Sequence, residues 1–138
     1  MILNKRIDAF SELGIQIREI SSGKNNSSLS RSAKTLEQLI FESKNYNGWF
    51  TPENVAHMLK EIGNCLTRES IEKWLQFYRP KIEELDTTKK IAVVMAGNIP
   101  AVGFNDFLSV LISGNSILAK LSSDDNKILP AIAELLIE

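Results

Sequence analysis

The sequence predicts an α/β protein in two pieces. Residues 1–88 read as a helical N-terminal region, and residues 89–138 as the first strand, helix, strand and helix of a doubly wound parallel sheet. Two observations predict this. The composition steps near Asp86–Lys90: residues 91–138 are about 56% apolar with Lys120 and Lys127 as their only bases, whereas residues 1–90 are about 36% apolar and hold 14 of the 16 basic groups. At the same place the spacing of apolar residues changes from three- and four-residue steps to continuous runs rich in β-branched side chains. A third observation bears on completeness. The chain has 138 residues and 15.5 kDa, enough for one ordinary domain and too little for two. Two parallel strands buried on both faces need neighbours that these residues do not supply. The sequence therefore reads as the N-terminal portion of a larger protein, or as a domain whose sheet is completed by another chain.

Each element has its own justification. Ile2, Leu3, Ile7, Phe10, Leu13, Ile17 and Ile20 give an amphipathic helix over 4–20. SSGKNNSSLSRS (21–32) is a mobile polar connection, rich in residues that compete for helix hydrogen bonds. Leu36, Leu39, Ile40 and Phe41 give a second helix at about 32–43, ending in the turn-rich KNYNG. Thr51-Pro52-Glu53 starts a third: a capping hydroxyl, proline at the first helical position and an acid in the first turn. Val55, Met58, Leu59 and Ile62 are its apolar face, and Gly63-Asn64 its end. Thr67-Arg68-Glu69 caps a fourth helix carrying Ile71, Trp74, Leu75 and Tyr78, stopped by Pro80. Ile91–Ala96 then reads as a strand buried on both faces, Gly97–Pro100 as a turn, and 101–113 as a helix carrying Phe104, Phe107, Leu108, Leu111 and Ile112. Gly114-Asn115 suits a left-handed helix end. Ser116–Leu121 is the second strand and 126–138 a last helix.

Several function classes are excluded at once. Sixteen bases against seventeen acids leave a net charge of −1, which rules out a basic nucleic-acid arm. One cysteine, Cys65, makes no internal disulfide or thiolate cluster, and one histidine, His57, removes any multi-histidine metal site. No signal peptide opens the chain, and no window approaches the roughly 18 apolar residues of a membrane span. A cytoplasmic protein is expected. There is no Walker loop and no G-x-G-x-x-G.

The residues able to carry chemistry lie in the second piece. Asn98 directly follows the first strand, at the carboxyl end where α/β sheets place ligands, and its amide can donate to a developing oxyanion. It is equally a common turn former. Lys120 closes the second strand, in reach of a phosphate or ribose hydroxyl at that edge, or packs its stem with its ammonium in water. Cys65 is read as a structural thiol and His57 as a partly exposed packing residue. Trp49-Phe50, Trp74, Phe77 and Tyr78 are expected to be packing anchors, and Asp124-Asp125 and Lys89-Lys90 solvated turns.

AVVMAGNIPAVGF (92–104) and SGNSILAKLSSDD (113–125), in that order, resemble the aldehyde dehydrogenase superfamily, which has a strand, a P-W-N-F-P-type turn, a helix and a G-N-x-x-x-x-K-P-S-E-type strand. With WFTPENV (49–55) and LPAIAELL, they are similar to its acyl-CoA reductase (LuxC-type) branch. The resemblance covers residues 49–138 and treats 1–48 as a helical lead-in. It implies a Rossmann-like cofactor domain of aldehyde-dehydrogenase type, incomplete here. It implies that Asn98 binds the oxyanion of an acyl thioester substrate, that Pro100 shapes the turn beside the cofactor, and that Lys120, with Ser122, binds the adenine ribose. Ser123 stands where the family has the acid that grips the ribose diol; losing that acid favours NADPH over NADH, though NADH remains possible. The nucleophilic cysteine of the family lies downstream of both motifs, so Cys65 does not match it and these residues alone are expected to be inactive. Exposed strand edges are expected to drive self-association or homo-oligomer formation. A rival reading is a non-catalytic helical interaction domain that docks on a partner chain.

Overall fold

The computed structural model describes residues 2–23 and 29–138. The predicted 21–32 connection therefore falls partly outside the described residues. Helix α1 (Leu3–Ser21) is the axis of the molecule, burying Leu3, Ile7, Phe10, Leu13, Ile17 and Ile20 along the stripe its spacing dictates. It packs most closely on α4 (Pro52–Cys65). The two helices meet at Gly14 and Gly63, where a Cβ on Gly14 would lie 2.6 Å from Leu66 Cβ. Nothing larger than hydrogen fits that crossing, and the Arg18 guanidinium crosses it to donate to the Gly63 carbonyl.

Both predicted threonine caps form. Thr51 Oγ1 accepts from Asn54 N–H at 3.2 Å, and Thr67 Oγ1 accepts from Ser70 N–H at 3.2 Å at the start of α5 (Arg68–Leu75). Helix α2 (Arg31–Phe41) is capped by Ser30 and is followed by a one-turn helix, α3 (Ser43–Tyr46), where the sequence suggested only a turn. Pro80 does not stop the fourth helix. The chain breaks earlier, at Leu75, and Pro80 sits in the first turn of a separate short helix, α6 (Arg79–Glu83), where its missing N–H costs nothing.

The second piece is a β-α-β unit with one more helix, an α/β arrangement behind an N-terminal helical region. Strand β1 (Lys90–Val94) runs parallel to β2 (Ser116–Lys120), with Lys90 opposite Ser116 and Val94 opposite Lys120. Helix α7 (Phe104–Ile112) makes the crossover, and α8 (Ile128–Ile137) follows. Gly114 takes φ +89°, the left-handed end expected there. Asn115 ties the strand starts together, its Oδ1 accepting from Lys89 N–H at 2.9 Å. One continuous apolar core joins the two pieces: Phe10 of α1 meets Phe107 of α7 edge-to-face at 6.4 Å, and α2 lies along α8.

Two expectations fail on burial. The strands are not covered on both faces. Ile91, Val93, Ile117 and Ala119 turn toward the helices, but Ala92, Val94, Leu118 and Lys120 face outward, with Val94 78% and Leu118 62% exposed. Among the described residues the helices lie on one side of the sheet only, which is why continuous apolar runs acquire an alternating burial. The aromatic anchors also divide. Phe50 is buried, but Trp49, Phe77 and Tyr78 are exposed, and Trp74 is only partly covered. Phe77 and Tyr78 fall in the break between α5 and α6, and Trp49 in the turn before α4, where no helix face holds them inward.

Candidate active-site turn at the carboxyl ends of the strands

The strands end side by side at Val94 and Lys120, and Met95 N–H extends their pairing by donating to Lys120 O at 3.0 Å. Beyond them the chain turns through Gly97–Gly103. Gly97 lies flat on the segment after β2: a Cβ there would sit 2.5 Å from Ser122 Cβ and Oγ and 3.1 Å from Asp125 N. Gly103 is pressed against Met95 in the same way, 2.5 Å from Sδ. Between them Ala101 adopts φ +55°, left-handed and costly for a residue with a Cβ. This is why the predicted helix at 101 begins only at Phe104.

The Ala101 amide identifies the group that holds the turn. It donates to Asp125 Oδ2 at 2.7 Å, a fully buried bond. The reading of Asp124-Asp125 as a solvated turn holds for Asp124 alone, because Asp125 is only 6% exposed. Ser122 and Asp125 form an isolated antiparallel bridge. That bridge folds the chain back after β2 and carries Asp125 beneath the turn. Burial pushes its carboxyl above the usual carboxylate range, opposed by the amides of Ala101 and Ile128, which favour the charge. Its other oxygen, Oδ1, has no hydrogen-bond partner among the described residues.

The helical region forms the far wall. Tyr46 is held by its hydroxyl donating to Leu39 O at 3.0 Å, with the Lys127 ammonium 5.1 Å from its ring centre. Burial first, and the charge of Asp125 second, push its phenol up to about 12. Asn47 is a clamp: Nδ2 donates to Asp124 O at 2.9 Å while Oδ1 accepts from Trp49 N–H at 2.9 Å. Tyr46, Asn47, Trp49, Gly97, Asn98 and Asp124 line an open cleft of about 460 Å³.

The sequence-selected residues distribute around this end of the sheet. Asn98 is exposed on the cleft, its side chain without a hydrogen-bond partner among the described residues, while Pro100 is buried in the same turn. Lys120 is exposed on the open sheet face beside Val94, outside the cleft. Ser122 is half-buried and its Oγ accepts from Asp124 N–H at 3.2 Å; Ser123 is exposed. Cys65 is apart from all of these. It is the exposed last residue of α4, in a separate hollow with Trp74 and Asn105. His57 is exposed on α4, and no cluster of three metal-ligating side chains occurs among the described residues.

A family model described as acyl-CoA reductase (LuxC) matches residues 15–138. The chain belongs to this family. Comparisons with curated proteins and with solved structures find no match. The LuxC match takes in the β-α-β unit and also the helices, starting inside α1 rather than at Trp49, so residues 15–48 are part of the family's pattern and more than a lead-in. No helix among the described residues is long and apolar enough to cross a membrane.

Three contributors to this site escape a sequence reading. Asp125 follows an equally acidic neighbour, and its burial goes with a four-residue bridge, Ser122 to Asp125. Tyr46 and Asn47 sit in KNYNG, whose asparagines and glycine signal a turn but not that the turn abuts the sheet. Only the aromatic at 46 among polar neighbours hints at a buried contact.

Proposed function

We propose that this chain is the N-terminal part of an NADPH-dependent acyl-CoA (fatty acyl) reductase of aldehyde-dehydrogenase type, which makes an aldehyde from an acyl thioester. The observation that carries the reading is Asn98: an amide donor with no partner among the described residues, exposed at the carboxyl end of a strand, on a turn held by buried contacts. A donor held this way costs no reorganisation when charge develops on the thioester oxygen, which is the requirement for oxyanion stabilisation. The acyl-accepting cysteine is assigned downstream, since Cys65 faces a different hollow.

The donor set at this end of the sheet fits a nicotinamide dinucleotide. Lys120 is exposed with no partner for its ammonium among the described residues, so it is free to bind a ribose hydroxyl or a phosphate. Ser123 is exposed and uncharged, so a 2′-phosphate meets no repulsion there. Ser122 and Pro100 act by shape: the one packs on Gly97 and the other fixes the turn. The dinucleotide supplies hydride when bound; the residues of this chain bind it, orient it and hold the oxyanion.

Lys120→Ala tests the cofactor half of this reading. Loss of a charge-assisted hydrogen bond is expected to weaken NADPH binding about 10-fold or more, read as Kd by cofactor fluorescence, with the acyl-CoA KM unchanged. Equal NADPH affinity in the variant would remove Lys120 from the site. The open face of Ala92, Val94 and Leu118 also supports the expected self-association. Light scattering against concentration checks it, and a constant monomer mass would rule it out.

A further inference from the structure

We infer that Asp125 is the positioning residue of the Asn98 turn: its buried carboxylate holds Ala101 in the left-handed conformation and thereby fixes where Asn98 stands at the cleft. The inference rests on the reading of Asn98 as the oxyanion donor, and it goes beyond that reading by naming what sets the donor's place.

Four observations converge. Ala101 is the only non-glycine residue with positive φ among those described, and such a conformation persists in alanine only where its surroundings impose it. The Ala101 amide has one partner, Asp125 Oδ2 at 2.7 Å. A charged acceptor grips a backbone amide more strongly than a neutral one. The turn has no room to settle elsewhere, because Gly97 already touches Ser122 and the Asp125 amide nitrogen while Gly103 touches Met95. Finally, Oδ1 is buried and has no partner among the described residues. A carboxylate used only as a structural acceptor for the Ala101 and Ile128 amides is a poor choice there, since a neutral acceptor would be desolvated at lower cost. The charge is therefore attributable to the pull it exerts on the turn.

Asp125 also links the turn to the helical region. The titratable groups facing it are Tyr46 of α3, whose phenol feels its charge, Lys127, which lies over the Tyr46 ring, and the exposed neighbour Asp124. None of these makes an ion pair with Asp125 among the described residues. Protonation of Asp125 should therefore pass to the turn through Ala101 rather than through an ion pair.

Two measurements test the proposal. In this chain, an NMR pH titration follows the Asp125 carboxyl carbon, the Ala101 amide and the Asn98 side-chain amide. All three are expected to move with one apparent pKa, and the Ala101 and Asn98 movements to vanish in Asp125→Asn. An Asn98 amide that stays still while Asp125 titrates would overturn the inference, whatever the enzyme does. In the intact reductase, assayed with a saturated fatty acyl-CoA and NADPH, Asp125→Ala is expected to lower kcat about 10- to 100-fold with little change in KM. Asp125→Asn, which keeps an acceptor without the charge, should restore only part of it. In an Asn98→Ala background the same Asp125→Ala change should cost nothing further; an equal additional loss would show that Asp125 does not act through Asn98. If Asn98→Ala alone leaves kcat unchanged, the catalytic reading of Asn98 fails, and the titration still decides whether Asp125 positions the turn. Circular dichroism confirms folding; if Asp125→Ala does not fold, the Asn variant and the titration carry the test.

Discussion

Asn98→Ala is expected to lower the kcat of the intact reductase about 10²- to 10³-fold, the cost of removing one preorganised oxyanion donor. The melting temperature should not move. These two halves belong together. Asn98 is exposed and its side chain has no partner among the described residues, so the folded chain loses no hydrogen bond when the amide goes. Exposed substitutions of that kind shift stability by no more than about 0.5 kcal/mol. The loss should fall on kcat and kcat/KM alike, because the interaction is made only as charge develops. Asn98→Asp should be at least as damaging, since a carboxylate has no proton to donate and repels the oxyanion. A variant with wild-type kcat would end the oxyanion assignment. A variant with low kcat and a lowered Tm would instead mean that the turn itself had collapsed.

Phe50→Ala is expected to cost about 3–5 kcal/mol of folding stability. Phe50 is 2% exposed and stands edge-on to Tyr46 at 6.5 Å with an 89° angle between the rings. Its N–H donates to Asn47 O at 2.9 Å. Truncation leaves a ring-sized void beside Tyr46, next to the residues that wall the cleft. Urea unfolding should show a lower midpoint with an unchanged slope, the mark of a stability change within a two-state transition. Trp49→Ala is the control one residue away: with 88% of Trp49 exposed, its removal should change stability by no more than about 0.5 kcal/mol. A Phe50→Ala cost near that of the control would mean that the site wall does not depend on this ring.

The contrast between these two neighbours shows where sequence reasoning reaches and where it stops. Local rules were legible: Thr51 and Thr67 cap helices because their hydroxyls meet amides three residues on, and Gly114 ends α7 because only glycine adopts its φ without strain. Periodicity placed α1, α4, β1, β2 and α8 within a few residues of their observed ends. What depends on a distant segment was not legible. Trp49 and Phe50 are chemically alike, yet Phe50 packs edge-on to Tyr46 within the core while Trp49 is exposed. Asp124 and Asp125 are the same residue type, and only the Ser122–Asp125 bridge separates a solvated acid from a buried one. Asn98 stands out in the sequence because its signal, a turn amide at a strand's carboxyl end, is local; the burial of Asp125 does not, because its partner Ala101 lies 24 positions earlier. Pro80 failed for another reason: a proline that ends one helix and a proline that begins the next look identical in one dimension.

The outward row of Ala92, Val94 and Leu118 changes how the folded chain responds to its solvent additives. A native protein normally hides such surface, so fluorescence from an apolar dye is taken as a mark of loosened packing. Here the folded sheet offers the dye the exposed side chains of Val94 and Leu118, 78% and 62% exposed, on a face they share with Lys90 and Lys120. Brightness in such an assay is expected to report the architecture rather than a partly melted state, so that melting read by dye starts from a raised native baseline. Salts excluded from protein surfaces act on the same face, favouring whatever covers it. Ammonium sulfate is therefore expected to promote self-association of this chain through that face while strengthening its core.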